Sequence, residues 1–189
     1  MSKRILEVKQ MRTSFGTSEG YVEAIRGIDL HVEEGEILGI VGESGSGKSV
    51  AMKSVMGGNP SNAKVESEGM FYKGINLAGK SERELQKYRG KEMAMIFQDP
   101  MTAMNPLRKV GYHLTQVIKR FNKCSTKEAE KIAIEMLRQV GISNPEARMK
   151  QYPHEFSGGM RQRAVIAMAL SCQPSLLICD EPTTALDVT

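Results

Sequence analysis

Tryptophan is absent from this 189-residue sequence, and aromatic residues make up only 5% of it. A surface that stacks nucleic-acid bases is built from such rings, so their scarcity argues against one. Basic residues exceed acidic ones by 26 to 22, a net charge of +4, but no five of them occur in a row. Nucleic acid is therefore not favoured as a partner over an anionic nucleotide or a membrane neighbour. Cysteine is limited to Cys124, Cys172 and Cys179. That odd, widely spaced set lacks the close pairs of a zinc site. The expectation is reduced, mostly buried thiols in a cytosolic protein. Long apolar runs are also missing: none reaches the roughly 18 residues of a membrane span. The opening MSKRILEVKQ has no apolar segment of the kind a secretory leader needs. A protein of this kind serves a membrane, if at all, from the cytoplasm through a partner.

What is present reads as strands alternating with helices. Residues 4–10 and 28–33 have strand character, and GEILGIVG at 35–42 is a short apolar run bounded by glycines, predicting a buried strand. A helix is expected over 48–56, stopped by Gly57-Gly58. GMFYKGINL holds another strand and turn, 82–88 a short polar helix, and MAMIF at 93–97 a second buried strand. From Gln98 the texture changes to a Pro-containing loop and then helices. Ser125 and Glu128 have capping-box spacing. Ala129, Ile132, Ala133, Met136, Leu137 and Val140 then recur on one helical face, and Gly141 is placed to end it. A further helix over about 159–171 precedes a terminal strand at 176–179. The organisation expected is a strand–helix core, 1–97 plus 158–189, with a helical lobe inserted at 98–157.

Three short stretches carry chemistry. The first, GESGSGKS at 42–49, fits G-x-x-x-x-G-K-[ST] between a strand and a helix, the place a phosphate cradle needs. Its glycines let backbone N–H groups converge on phosphate oxygens, and the helix N-terminus adds partial positive charge. Gly42, Glu43, Ser44, Gly45, Ser46, Gly47, Lys48, Ser49 and the adjoining Val50 form the candidate binding loop. Lys48 is placed to reach the β- and γ-phosphates, and Ser49 to ligate Mg²⁺. This loop alone leaves open an ATPase, a kinase or a GTPase, although the N/T-K-x-D base-reading motif usual in GTPases does not occur.

The second stretch, LLICDE at 176–181, ends an apolar strand in two acids. Ligands gather at the C-terminal ends of strands in open parallel sheets. Asp180 is the candidate for the metal, and Glu181 for the base that activates water. The third, FSGGMRQR at 156–163, puts Ser157, Gly158 and Gly159 at a helix start, a second place for an anion.

The cradle, a glutamine after a strand (Gln98), SGG before a helix and an apolar run closing in DE follow one another in that order. Together they resemble the ATP-binding subunits of ABC transporters. GIVGESGSGKSV, IFQDPMTAMNP, FSGGMRQR and DEPTTALDVT are most similar to the ATPases of oligopeptide, dipeptide and nickel importers. The resemblance covers essentially the whole chain. It implies an α/β fold: a P-loop NTPase (RecA-like) core sheet with N-terminal antiparallel β elements and an inserted α-helical lobe. ATP and Mg²⁺ are the implied ligands. Gln98 matches the glutamine that touches the metal and the attacking water. Phe15, or secondarily Tyr21, matches the aromatic that stacks on adenine. Residues 185–187 match the segment at the dimer seam.

The resemblance further implies head-to-tail pairing with a second ABC ATPase domain, identical or paralogous. The signature of each chain then caps the γ-phosphate held by the other. Two transmembrane permease subunits and, indirectly, an extracytoplasmic substrate-binding protein complete the implied assembly, at the cytoplasmic face of the membrane and without nucleic acid. The loop at 99–110, with Met101 and Met104, lies where the family docks its membrane subunits. Family members continue with a further helix, a strand and a loop bearing a histidine. His31, His113 and His154 all precede the paired acids and read as surface or structural. The expectation is a fragment or a short relative with a sheet edge or core face exposed, hydrolysing ATP poorly by itself. Three alternatives stand beside the importer ATPase. They are a nucleotide-binding module without useful catalysis, a soluble ABC-type ATPase acting on DNA or ribosomes, and a small-molecule phosphotransferase.

Overall fold

The structure is a computed structural model and describes residues 3–99 and 103–182. The chain forms two compact units, Met1–Lys87 and Tyr88–Thr189.

The first unit is built on a long antiparallel hairpin, β1 (Arg4–Thr17) and β2 (Gly20–Glu33). Strand β1 is its centre. It pairs with β2, with β3 (Ala63–Glu66) and with β4 (Gly69–Tyr72), and β4 pairs with β5 (Ile75–Asn76), all antiparallel. The hairpin runs well beyond the expected 4–10 and 28–33. A bulge explains why the alternation breaks there. Leu6 and Val8 point into the core, then Gln10 takes φ 46°, and after it Met11 and Thr13 point inward instead. One inserted residue moves the buried face from even to odd positions. The bulge is pinned by Asp29, which accepts from Gln10 N at 2.8 Å and from Gln10 Nε2 at 2.6 Å.

Helix α1 (Lys48–Met56) has the expected bounds, with Gly57 as its left-handed C-cap. It buries Ala51, Val55 and Met56. A hydroxyl pair ties it to β1: Thr13 Oγ1 lies 2.8 Å from Ser54 Oγ, and both residues are buried. Ser54 donates to Val50 O and accepts from Asn59 Nδ2, so the proton between the hydroxyls belongs to Thr13. Helix α2 (Glu82–Leu85) is shorter than expected and starts on a Ser81–Glu84 capping box.

One expectation is overturned in this unit. Residues 35–42 do not form a buried strand. No strand is assigned there, and Ile37 and Val41 are 96% and 95% exposed. A strand exists only through hydrogen bonds to a neighbour, and among the described residues no strand pairs with this stretch.

The second unit contains the parallel pair β6 (Met93–Ile96) and β7 (Leu176–Cys179), registered Met93 to Leu176 and Ile96 to Cys179. Helices α3 (Val110–Asn122), α4 (Thr126–Gln139), α5 (Pro145–Arg148) and α6 (Gly158–Leu170) accompany it. Leu114 and Ile118 of α3 join Ala129, Ala133 and Leu137 of α4 and Ala164 and Val165 of α6 in one core. Helix α4 begins on the expected box: Glu128 N donates to Ser125 Oγ, and Ser125 N to the Glu128 carboxylate. Those Ser125 bonds hold the Glu128 carboxyl below its ordinary pKa. Gly141 follows the α4 cap at φ 76°. Leu137 is fully buried. Leu137→Ala is expected to destabilise the unit by about 2–5 kcal/mol, read from the shift in a urea midpoint at unchanged slope.

Two further expectations change. Met104 is buried in this core rather than offered to a partner, because the loop folds back so that its side chain meets the apolar helix faces. Met101 lies outside the described residues. All three thiols are free, but Cys179 is exposed while Cys172 is buried and Cys124 half-buried. Burial pushes the Cys172 thiol up. His31 and His154 are exposed and His113 is half-buried, in keeping with a surface or structural reading.

Candidate functional site

The phosphate cradle lies wholly in the first unit. Helix α1 differs from the capped helices α2 and α4. Its N-cap is Gly47, no side chain caps it, and no acid sits in its first turn. Such a helix start has donors and positive potential to offer an anion. Gly47 adopts φ 95°, and a Cβ there would lie 2.8 Å from Ile25 Cδ1 and 3.0 Å from the Ala24 carbonyl oxygen. The loop is thus seated against β2 at a position only glycine fits. Lys48 Nζ donates to Gly42 O at 2.7 Å and Glu43 O at 2.8 Å. The ammonium closes the loop into a ring around the space that phosphate oxygens take in such cradles. Glu43, Ser44 and Ser46 are exposed on the loop, and Ser49 and Val50 are half-buried in the first turn of α1.

Phe15 is half-buried on β1, opposite Val22 and Ala63. It stands two residues from Thr13, the ladder partner of Ile25, hence about 7 Å along the strand from the residue packed on Gly47. Tyr21 is 72% exposed near the tip of the hairpin.

The second unit brings the other candidates together. Asp180 N donates to Ile96 O at 2.9 Å, extending the β6–β7 ladder by one bond, and Asp180 is buried. The chain then turns sharply: Glu181 has φ 47° and is exposed. Gln98, two residues beyond β6, donates through Nε2 to Glu181 Oε2 at 2.7 Å. Two strand ends thus deliver an amide and a carboxylate to one point, separated by 83 residues of sequence. Ser157 caps α6 by accepting from Met160 N at 3.2 Å. Ser157 and Gly158 are exposed and Gly159 half-buried, while Phe156 anchors the turn in the core.

One residue with a structural tie to this cluster was not among the sequence candidates. Gln162 on α6 is fully buried, and its Nε2 donates to Pro182 O at 2.7 Å. The signal available in the sequence was a polar residue three positions before Val165, on the same helical face. Residues 185–187 lie outside the described residues. Among the described residues no helix is long and apolar enough to cross a membrane, and no cluster of three or more His, Cys, Asp or Glu is arranged to hold a metal.

A family model described as ABC transporter matches residues 25–184. The oligopeptide transport ATP-binding protein OppD of Bacillus subtilis is 54% identical over 187 residues, which are 98% of this chain and 52% of that protein. The dipeptide transport ATP-binding protein DppD of Lactococcus lactis is 50% identical over 188 residues, 99% of this chain and 54% of that protein. The chain therefore spans about half the length of the curated relatives it matches. Among solved structures, the dimeric ABC transporter cassette MJ0796 is similar with a TM-score of 0.84 at 26% identity, covering 96% of this chain and 76% of that one. The same cassette has been solved bound to ADP and Pi in a post-hydrolysis state. With the family match extending from β2 to beyond Glu181, and near-complete coverage by relatives at half identity, this chain belongs to the ABC transporter family, and its fold is that of the ABC ATPase cassette.

Proposed function

We propose that the chain binds and hydrolyses ATP to power uptake of short peptides across the cytoplasmic membrane. The observation that carries the hydrolytic reading is the 2.7 Å bond from Gln98 to Glu181. An amide that donates to one oxygen of a carboxylate orients the group, and a carboxylate oriented in this way is suited to take a proton from water.

The roles assigned are those the motifs imply. Lys48 and the N–H groups of residues 42–49 hold the β- and γ-phosphates. Phe15 stacks on adenine. Ser49, Asp180 and Gln98 supply hard oxygen donors, and so sparse a set suits Mg²⁺, which keeps waters and phosphate oxygens in its shell. When bound, that ion neutralises charge on the phosphates. Glu181 accepts the proton of the attacking water as its oxygen bonds to the γ-phosphorus and the bond to ADP breaks. Ser157, Gly158 and Gly159 cap the γ-phosphate of a second ABC domain, so two chains close on shared nucleotides. A core of 1–97 plus 158–189 with the lobe 98–157 inserted fits this division of labour.

The surface beside α3 supports docking of two permease subunits at the cytoplasmic face of the membrane. Leu107 is 82% exposed, and the Arg108 guanidinium stacks over Tyr112 at 5.1 Å. The 189-residue chain alone turns ATP over slowly, because the stretch leading into its cradle is exposed and has no strand partner among the described residues.

Peptide rather than nickel cargo is favoured by the relatives, which are oligopeptide and dipeptide transport proteins. Disrupting the gene is expected to abolish accumulation of labelled di- and oligopeptides, with rescue by the wild-type gene and none by Glu181→Gln. Lost nickel uptake with peptide uptake intact would sink the peptide reading.

A further inference from the structure

We propose that Gln162 is a positioning residue for hydrolysis, holding the turn that presents Glu181; this rests on the reading of Glu181 as the base. Glu181 occupies the left-handed region, which a residue with a side chain enters only at a cost of about 1–2 kcal/mol. Something must hold it there. Asp180 N is tied to Ile96 O on one side of Glu181. On the other side, Pro182 O accepts from Gln162 Nε2 at 2.7 Å. The turn is therefore clamped at both ends, once by the sheet and once by α6.

The clamp from α6 is well made for this task. Gln162 is fully buried, so water does not compete for its amide. Its Oε1 has no hydrogen-bond partner among the described residues. A buried amide with an unsatisfied oxygen is expensive, and leucine or methionine would fill the space more cheaply. What the amide supplies is the single directed bond to Pro182. Gln162 also stands five residues from Ser157, the N-cap of the same helix, about 7.5 Å along its axis. The SGG anion site and the Glu181 turn are thus connected through one rigid helical turn and one hydrogen bond. A shift of α6 when its N-terminus engages phosphate moves the donor that sets Glu181, and with it the carboxylate offered to Gln98.

Two measurements test this. The first needs no turnover and uses the side-chain amide signals of Gln98 and Gln162 in nitrogen–proton NMR spectra of the chain, each assigned by its loss in the corresponding methionine variant. In the unmutated chain the Gln162 amide protons should exchange slowly, and Gln162→Met should shift the Gln98 signal as Glu181→Gln does. A Gln162 signal exchanging like a solvent-exposed amide, or a Gln98 signal unmoved by Gln162→Met, overturns the proposal. The second is hydrolysis by the assembled ATPase. Gln162→Met should lower kcat by up to about a hundred-fold, the scale of a small misplacement of a reacting group, with ATP affinity unchanged. Combined with Glu181→Gln, it should cause no further loss. Parallel falls in affinity and kcat, or an equal further loss in the Glu181→Gln background, would show a merely structural role and overturn it. Full turnover by Glu181→Gln itself would instead dismiss the base assignment beneath it.

Discussion

Replacing Glu181 by glutamine is expected to lower ATP hydrolysis by about a hundred- to ten-thousand-fold, the range lost with a general base, while nucleotide affinity stays as it was. The substitution is nearly isosteric. Its amide oxygen still accepts from Gln98 Nε2, which now lies 2.7 Å from the carboxylate, so the turn keeps its shape. Only the capacity to take a proton is removed. Binding should survive because the cradle at 42–49 belongs to other elements, α1 and β2. The measurement is phosphate release beside equilibrium binding of ATP. Full turnover by Glu181→Gln would mean that the carboxylate is not the base, whereas equal, near-background rates for wild type and variant would make the nucleotide-binding module without useful catalysis the better reading. Acceptor-dependent ADP formation would point to a phosphotransferase instead.

The second large effect is expected at Gly47. Gly47→Ala should weaken nucleotide binding on the order of ten- to a hundred-fold. Two penalties coincide there. The backbone sits at φ 95°, and the new Cβ would approach the Ala24 carbonyl oxygen to 3.0 Å and Ile25 Cδ1 to 2.8 Å. Strain of this kind costs about 1–3 kcal/mol, and every 1.4 kcal/mol is about ten-fold in affinity. Backbone oxygen cannot swing aside as a side chain does, so the loop must move and its N–H groups lose their convergence. Neighbouring glycines provide a graded comparison. Gly45 has φ 80°, but nothing lies within 4 Å of the place its Cβ would take, so alanine there meets strain without a clash and should cost less. Gly58 lies beyond the helix with an ordinary 3.8 Å contact to Lys53 O and no left-handed φ, and alanine there should leave affinity unchanged. Equal effects at Gly47 and Gly58, in binding assays run on the Glu181→Gln background to stop turnover, would refute the packing argument.

Much of the site was legible because its signals are local. The bounds of α1, of β7 and of the start of α4 come from residues within a turn or two: Gly57 after the apolar helix, the short run LLIC, and the reciprocal Ser125–Glu128 bonds. What escaped the sequence lies in residues whose state depends on distant partners. The Gln10 bulge needs Asp29 across the ladder to hold it, so strand periodicity reads as ended where it only changes parity. Met104 reads as a loop methionine until the apolar faces of the helices close over it. Residues 35–42 have every local mark of a buried strand, yet burial requires a pairing neighbour, and none is present among the described residues.

The same division applies to function. The sequence by itself determined the chemistry on offer: a glycine loop with Lys48 and Ser49, two acids closing an apolar strand, and a capped SGG turn. Those are properties of short stretches, in which backbone freedom and side-chain type suffice. Only the tertiary structure showed how the two acids are placed. Asp180 continues the ladder and is buried, whereas Glu181 turns left-handed into reach of Gln98. Only it brought Gln162 to Pro182 across 20 residues. The physical reason is that a hydrogen bond between remote residues leaves no periodic trace in sequence. It is specified by how β6, β7 and α6 pack, and that packing is a collective property of the core.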